Sequence, residues 1–207
     1  METEPLTEES FEQALAFLRD TDPDLGAVLS KYGPPPMWAR EPGFPTLVKI
    51  ILEQQVSLAS AKAAYDRLIE ALGTLTPSAF LTLDGDRLKQ IGFSRQKTRY
   101  CRILAQEVID GSLDLEGIAV LDDSKVHDEL TRITGIGRWT AHIYLLMALR
   151  RPDIWPRGDV ALCTAVQRVK KLPSRPTYEE LDVMSENWRP WRSVAARIFW
   201  HFYLSSP

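Results

Sequence analysis

Apolar residues recur at helical spacing along almost the whole chain, and period-two alternation is scarce. Phe11, Leu15 and Leu18 share one face of a helix from Glu8 to Arg19, and a short second helix runs from Asp24 to Lys31. Gly33-Pro34-Pro35-Pro36 and Glu41-Pro42-Gly43 mark a loop that carries Trp38. Thr46 to Leu72 reads as a long helical region, interrupted near Gln54 to Ser57. Short helices follow over Pro77 to Phe80 and Asp84 to Ile91, then a longer one from Ser94 to Asp110, ended by Gly111. Ser124 to Ile133 and Trp139 to Leu149 are two helices around a glycine pair, with Val160 to Lys170 and Tyr178 to Met184 after them. Pro190 to Leu204 closes the chain, with Pro190 suited to a first helical turn. The pattern predicts an all-α protein with neither repeats of solenoid length nor low-complexity segments.

Composition narrows this only slightly. The 207 residues suffice for one large domain or two small lobes with a sizeable core. No apolar run approaches the ~20 residues of a membrane span, and Met1 to Ser10 is acidic and polar, unlike a secretory signal. Cys101 and Cys163 are too few and too far apart for a metal cluster or a disulfide framework, and read as core thiols. The net charge of −3 argues against a nucleic-acid partner until its distribution is considered. From Arg132 onward, twelve Lys/Arg face six Asp/Glu, which allows a local phosphate-binding face on an acidic protein.

The candidate chemistry begins at Leu130-Thr131-Arg132-Ile133-Thr134-Gly135-Ile136-Gly137-Arg138-Trp139-Thr140-Ala141. Ile133 and Ile136 can anchor a hairpin between two helices, while Gly135 and Gly137 supply backbone freedom and close approach. Amides at the start of the second helix can bind a phosphate without a cationic side chain, and the Thr140 hydroxyl could join them. About twenty residues later, Pro156-Arg157-Gly158-Asp159 places a carboxylate ahead of a helix whose apolar face is Leu162, Ala165, Val166 and Val169. Asp159 is either a plain N-cap, worth about 1 kcal/mol, or a carboxylate that acts on a nucleotide. On a helical wheel Trp188, Trp191, Ala195, Phe199 and Phe202 form one stripe, and Trp200 falls about 150° from its centre. Such a Trp packs on another lobe or lines a cleft. Arg138, Arg157, Arg192 and Arg197 are candidate phosphate contacts, and His142 on the second hairpin helix reads as a packing or hydrogen-bonding residue.

Taken together, Leu130 to Ala141 resembles the helix-hairpin-helix of the DNA glycosylase superfamily, in which a Gly/Pro-rich loop and an Asp follow the hairpin. Three further segments extend the resemblance, in the same order along the chain from about Asp22 to the C-terminus. Ile50-Ile51-Leu52-Glu53-Gln54-Gln55-Val56-Ser57 looks like the segment that probes the duplex, and Ile91-Gly92-Phe93-Ser94-Arg95-Gln96-Lys97 like the internal loop. Trp188-Arg189-Pro190-Trp191-Arg192-Ser193 resembles the C-terminal signature of the alkylation-repair branch, the 3-methyladenine DNA glycosylase II (AlkA-like) enzymes. Two departures matter. Trp139 stands where the bifunctional relatives carry the lysine that forms a Schiff base, and the cysteines of an iron–sulfur cluster are absent. The chain is also shorter than the relatives that carry an extra N-terminal β domain, and is expected to lack it.

The resemblance implies two helical lobes with a cleft between them: one over about 43–150 with the hairpin at 124–149, the other over about 1–42 plus 151–207. It implies Asp159 as the catalytic carboxylate, Trp139 and Trp200 as base-pocket residues, and Gln55 as the residue that fills the gap left by an extruded base. Trp38 and Tyr144 are further pocket candidates that also read as core. The expected activity is a monofunctional glycosylase of base excision repair, releasing 3-methyladenine and 7-methylguanine from double-stranded DNA. A non-catalytic helix-hairpin-helix DNA-binding module is the alternative, as is a glycosylase for oxidised, deaminated or mismatched bases. No cofactor is required on this reading, though carbonyls near Ile133 and Gly135 are candidates for a monovalent cation. A monomer is expected, cytoplasmic and nucleoid-associated in a bacterium or nuclear in a eukaryote.

Overall fold

The computed structural model describes residues 4–206. Met1 to Thr3 of the acidic N-terminal stretch, and Pro207, lie outside the described residues. Among the described residues are twelve α-helices and no strand: α1 (Glu8–Thr21), α2 (Pro23–Tyr32), α3 (Phe44–Glu53), α4 (Leu58–Leu72), α5 (Pro77–Thr82), α6 (Gly85–Ile91), α7 (Arg95–Ile109), α8 (Asp123–Thr131), α9 (Arg138–Met147), α10 (Val160–Val169), α11 (Tyr178–Ser185) and α12 (Arg192–Ser205). Short 3₁₀ turns cover Gly117–Val120 and Glu186–Trp188. Side-chain caps explain many of the starts. Thr7, Asp22, Ser57, Thr76, Asp84, Ser94, Asp122, Asp159 and Thr177 each accept a hydrogen bond from a first-turn amide. The expected break inside 46–72 is a loop between α3 and α4, ended by the Ser57 cap. No described helix is long and apolar enough to cross a membrane.

The chain divides into two compact units. One comprises the N-terminal part up to Ala39 and the chain from Leu145 onward; the other runs from Arg40 to Tyr144. The division falls within α9, ahead of the boundary near residue 150 that the sequence suggests. Hydrogen bonds tie the end of α9 to the first unit: the Leu145 carbonyl accepts from the Arg151 amide and the Leu146 carbonyl from the Arg197 guanidinium.

In the first unit α12 is central and packs on α10, α2 and α1. Every residue from Ser193 to Trp200 is buried, so that part of α12 is enclosed on all sides, not striped, and only the end of the helix from Tyr203 is exposed. Trp155, Trp188 and Phe199 form an aromatic cluster, with Trp188 5.1 Å from Trp155 and 5.0 Å from Phe199 between ring centroids. Pro190 precedes the helix, which begins at Arg192, so it does not occupy the first turn. In the second unit α3 is the core helix, packed on α4 and α7 with Leu47, Val48, Ile50 and Ile51 wholly buried.

Candidate active site and nucleic-acid interface

In the first unit a tight turn delivers Asp159. Its amide donates to the Pro156 carbonyl at 3.3 Å, and Gly158 between them has φ +96°, which a glycine adopts without strain. Asp159 is then the N-cap of α10: Oδ1 accepts from the Leu162 amide at 2.8 Å. The same oxygen accepts from the Trp200 indole N–H at 3.3 Å. The carboxylate is half-buried and Trp200 is 8% exposed. A helix amide and an indole on a second helix therefore fix the direction of Asp159. The off-stripe position of Trp200 has its explanation here, because that face of α12 meets the start of α10.

The C-terminal signature holds the segment that leads to this turn. Arg192 Nε meets Asp153 at 2.8 Å and Arg189 meets it at 2.7 Å. The Ser193 hydroxyl accepts from the Ile154 amide at 2.9 Å, and the Ser193 amide donates to the Pro152 carbonyl. The Trp188 indole donates to Asp22 at 2.7 Å, where Lys170 also pairs at 2.6 Å. Burial pushes the Asp22 carboxyl up, but the Lys170 ammonium and the Trp188 indole outweigh it and leave the pKa below the ordinary value.

Three arginines with expected phosphate roles are engaged within the protein. Arg197 is wholly buried and donates to the carbonyls of Met37, Ser193 and Leu146, which corrects its assignment as a phosphate contact. Arg192 pairs with Asp153 and Glu186, and Arg157 with Glu179 and Asp182. Trp38 sits half-buried in the Pro-rich loop, φ +49°, with its ring centroid 6.5 Å from that of His201.

In the second unit α8, a tight turn and α9 form the hairpin. The Ile136 amide donates to the Ile133 carbonyl at 3.0 Å, and both isoleucines are buried. Gly135 has φ +100°, and a Cβ there would lie 2.1 Å from Cγ of Tyr100. Gly137 differs: no atom lies within 4 Å of its Cβ position. The first amides of a helix have no carbonyl one turn back, and the bare Gly137 lets an external anion approach those of α9. Arg138 is exposed and Trp139 half-buried. Thr140 is only 2% exposed and its hydroxyl accepts from Gln54, so it faces inward. Tyr144 is wholly buried, its hydroxyl accepting from the Gly43 amide at 2.9 Å; burial raises its pKa. His142 packs on His127, ring centroids 5.4 Å apart.

The loop between α3 and α4 presents Gln55 to solvent, with φ +55° and with Val56 and Leu58 also exposed. Gln54 turns the other way. Its Nε2 donates to the Gly135 carbonyl and to Thr140 Oγ1, both at 2.9 Å. The internal loop has a holding role as well: Ser94 caps α7, and Lys97 Nζ donates to the Leu52 carbonyl at 2.7 Å, which closes the end of α3. Gln54, Tyr100 and Lys97 were not singled out as site residues by sequence pattern. A Gln-Gln pair does signal that one side chain must differ from the other, but not which. The candidate cation carbonyls have protein donors, Gln54 on Gly135 and Ile136 on Ile133. A carbonyl has two lone pairs, so each retains room for a second partner.

Over 184 residues the chain is 27% identical to the putative DNA-3-methyladenine glycosylase YfjP of Bacillus subtilis, covering 85% of this chain and 64% of that protein. The chain thus spans just under two thirds of that relative's length. The solved structure of the Schizosaccharomyces pombe 3-methyladenine DNA glycosylase Mag1, in complex with abasic DNA, is similar at TM-score 0.86 and 25% identity, over 94% of this chain and 98% of that one. A DNA-3-methyladenine glycosidase of Bacillus halodurans is similar at TM-score 0.75 and 26% identity, over 93% and 89%. Residues 48–193, well over half of the chain, match the HhH-GPD superfamily of base excision DNA repair proteins, and the chain belongs to that family.

Proposed function

We propose that the protein is a monofunctional DNA glycosylase that releases alkylated purines, 3-methyladenine and 7-methylguanine, from duplex DNA. The observation that carries this reading is Asp159, whose Oδ1 is held by the Leu162 amide and the Trp200 indole. The hairpin amides and Arg138 hold the backbone, and Gln55 occupies the gap left when the nucleotide leaves the stack. An N-alkylated purine already carries positive charge, so it departs as a neutral base when the C1′–N bond breaks. The deoxyribose is left as an oxocarbenium-like cation, and water adds to C1′ and loses a proton. The Asp159 carboxylate stabilises that cation. At about 4 Å and an effective dielectric of about 20 the attraction is about 4 kcal/mol, and the part of it gained as the charge moves from the base to C1′ lowers the barrier. Trp139 offers no amine for a Schiff base, so the strand stays intact. The half-buried indole of Trp139 is of the kind that favours a cationic base. A monovalent cation on the Ile133 and Gly135 carbonyls belongs to the same reading.

The test is incubation with duplex DNA containing 3-methyladenine or 7-methylguanine, with assays for free base, abasic sites and strand breaks. Free base without breaks is expected, and Asp159→Asn should abolish it. Strand cleavage by the wild-type protein would refute the monofunctional assignment. Binding without release from either lesion would favour a non-catalytic DNA-binding module.

A further inference from the structure

We propose that Gln54 is a positioning residue that locks the duplex-probing loop to the phosphate-binding hairpin, so that Gln55 can insert only when the hairpin holds the backbone. The inference rests on the function proposed above. Its physical basis lies wholly within the second unit. The Gly135 carbonyl can only accept, so the orientation of the Gln54 carboxamide is set, with Nε2 toward Gly135 and Thr140. Thr140 is 2% exposed, and the contact as a whole is half-buried. Gln54 is also the C-cap of α3, in extended backbone with φ −61° and ψ 123°. The next residue, Gln55, turns to φ +55° and is exposed.

The restraint on Gln54 is thus transmitted through one peptide to Gln55. The end of α3 that leads into the loop is secured too. Lys97 holds the Leu52 carbonyl, and Arg40 forms a bidentate pair with Glu53 at 3.0 and 2.9 Å. Neither of those contacts touches the hairpin. Gln54 alone among these three reaches it, at the carbonyl of Gly135, a glycine packed closely against Tyr100. The two adjacent glutamines therefore divide the work: Gln54 faces the anchor and Gln55 faces the DNA.

The experiment is a double-mutant cycle of Gln54→Leu and Gln55→Ala on the full chain. The probe is a duplex with a tetrahydrofuran abasic analogue opposite 2-aminopurine, whose fluorescence reports insertion into the gap. Gln54→Leu should weaken binding to the abasic duplex about ten-fold, the scale of one or two hydrogen bonds, and should suppress the 2-aminopurine change. Binding to undamaged duplex should stay within about two-fold, because phosphate contacts carry it. Gln55→Ala should then cost little more in the Gln54→Leu background. Thr140→Val, which removes one partner at constant volume, should reproduce part of the effect if Gln54→Leu folds poorly. Strictly additive losses would overturn the proposal, as would a wild-type protein with no Gln55-dependent signal, or parallel loss of thermal stability and undamaged-duplex binding without a change in that signal. A wild type that inserts Gln55 but releases no base would instead retire the proposed chemistry and leave the coupling standing.

Discussion

Replacing Gly135 by alanine should damage the hairpin for two separable reasons, and the structure sets the scale of each. At φ +100° an L side chain is strained whatever room it has, a cost of about 1–3 kcal/mol. There is also no room: the new Cβ would lie 2.1 Å from Cγ, 2.5 Å from Cδ1 and 2.6 Å from Cβ of Tyr100. These are root atoms of the tyrosine, so the clash is not relieved by swinging the hydroxyl end aside. Overpacking of this kind costs about 1–3 kcal/mol. The sum, about 2–6 kcal/mol, corresponds to a drop in Tm of roughly 5–20 °C for a chain of this size. Differential scanning calorimetry on Gly135→Ala, with and without Tyr100→Ala, separates the parts. The second change should recover the share due to the ring atoms Cγ and Cδ1, less its own cavity cost, and leave the backbone strain together with the 2.6 Å approach to the retained Cβ. Gly137→Ala is the control, since its Cβ meets nothing within 4 Å. It should leave Tm nearly unchanged and weaken duplex binding, because the methyl faces the anion's approach. A Gly135→Ala protein that melts within about 2 °C of wild type would refute the reasoning.

Asp159→Asn should leave stability within about 1 kcal/mol, because asparagine caps as well as aspartate, whereas Asp159→Ala should lose about 1 kcal/mol or more; chemical denaturation of both, with base release measured in parallel, checks that cap and chemistry separate. Arg197→Met should cost about 2–4 kcal/mol, because the Met37 and Leu146 carbonyls lose this donor while the Ser193 carbonyl keeps only its helical one, with Arg197→Lys intermediate because an ammonium cannot span all three; urea titration with the m-value held constant tests this. Lys170→Met removes a partner of Asp22, whose folded pKa lies below its unfolded value. Stability from such a group is present above the ordinary carboxylate range and lost as pH falls through the folded pKa. The variant should therefore be less stable than wild type at pH 7, and the gap should narrow toward pH 3. A gap that stays constant across that range would sink the assignment.

Local rules carried most of the helices. The α3–α4 break is legible because Ser57 caps α4 and Gln54 ends α3, and the hairpin is legible because two glycines interrupt an apolar period. What sequence pattern misses are contacts whose partners lie far along the chain. The Arg197 guanidinium meets a carbonyl 160 residues away, so it looks like any surface arginine until the fold encloses it. Thr140 sits at the start of a helix as a phosphate ligand would, yet Gln54, 86 residues earlier, takes its hydroxyl inward. Trp200 looked anomalous on a one-faced helix because periodicity assumes one buried face, while α12 has neighbours on every side. The Gln54-Gln55 pair marks the general limit. Outside a helix the 3.6-residue period no longer assigns faces, and only the backbone turn at Gln55 decides which amide looks outward.

The two readings of Asp159 that the sequence leaves open are physically compatible. An N-cap needs a short acceptor held at a fixed angle where amides converge, and a helix N-terminus favours negative charge there. A group that stabilises a sugar cation needs the same charge, held in one direction before the cation forms, so that no reorganisation is required when it does. The Leu162 amide meets the first need and assists the second, and the Trp200 indole adds a restraint from another helix. The signature around Trp188 to Ser193 completes the frame by tying Pro152, Asp153 and Ile154, and so the approach to the turn, to the start of α12. Asp153→Ala, which removes the carboxylate pairings with Arg189 and Arg192, should therefore slow base release through misplacement of Asp159 while its own cap bond persists.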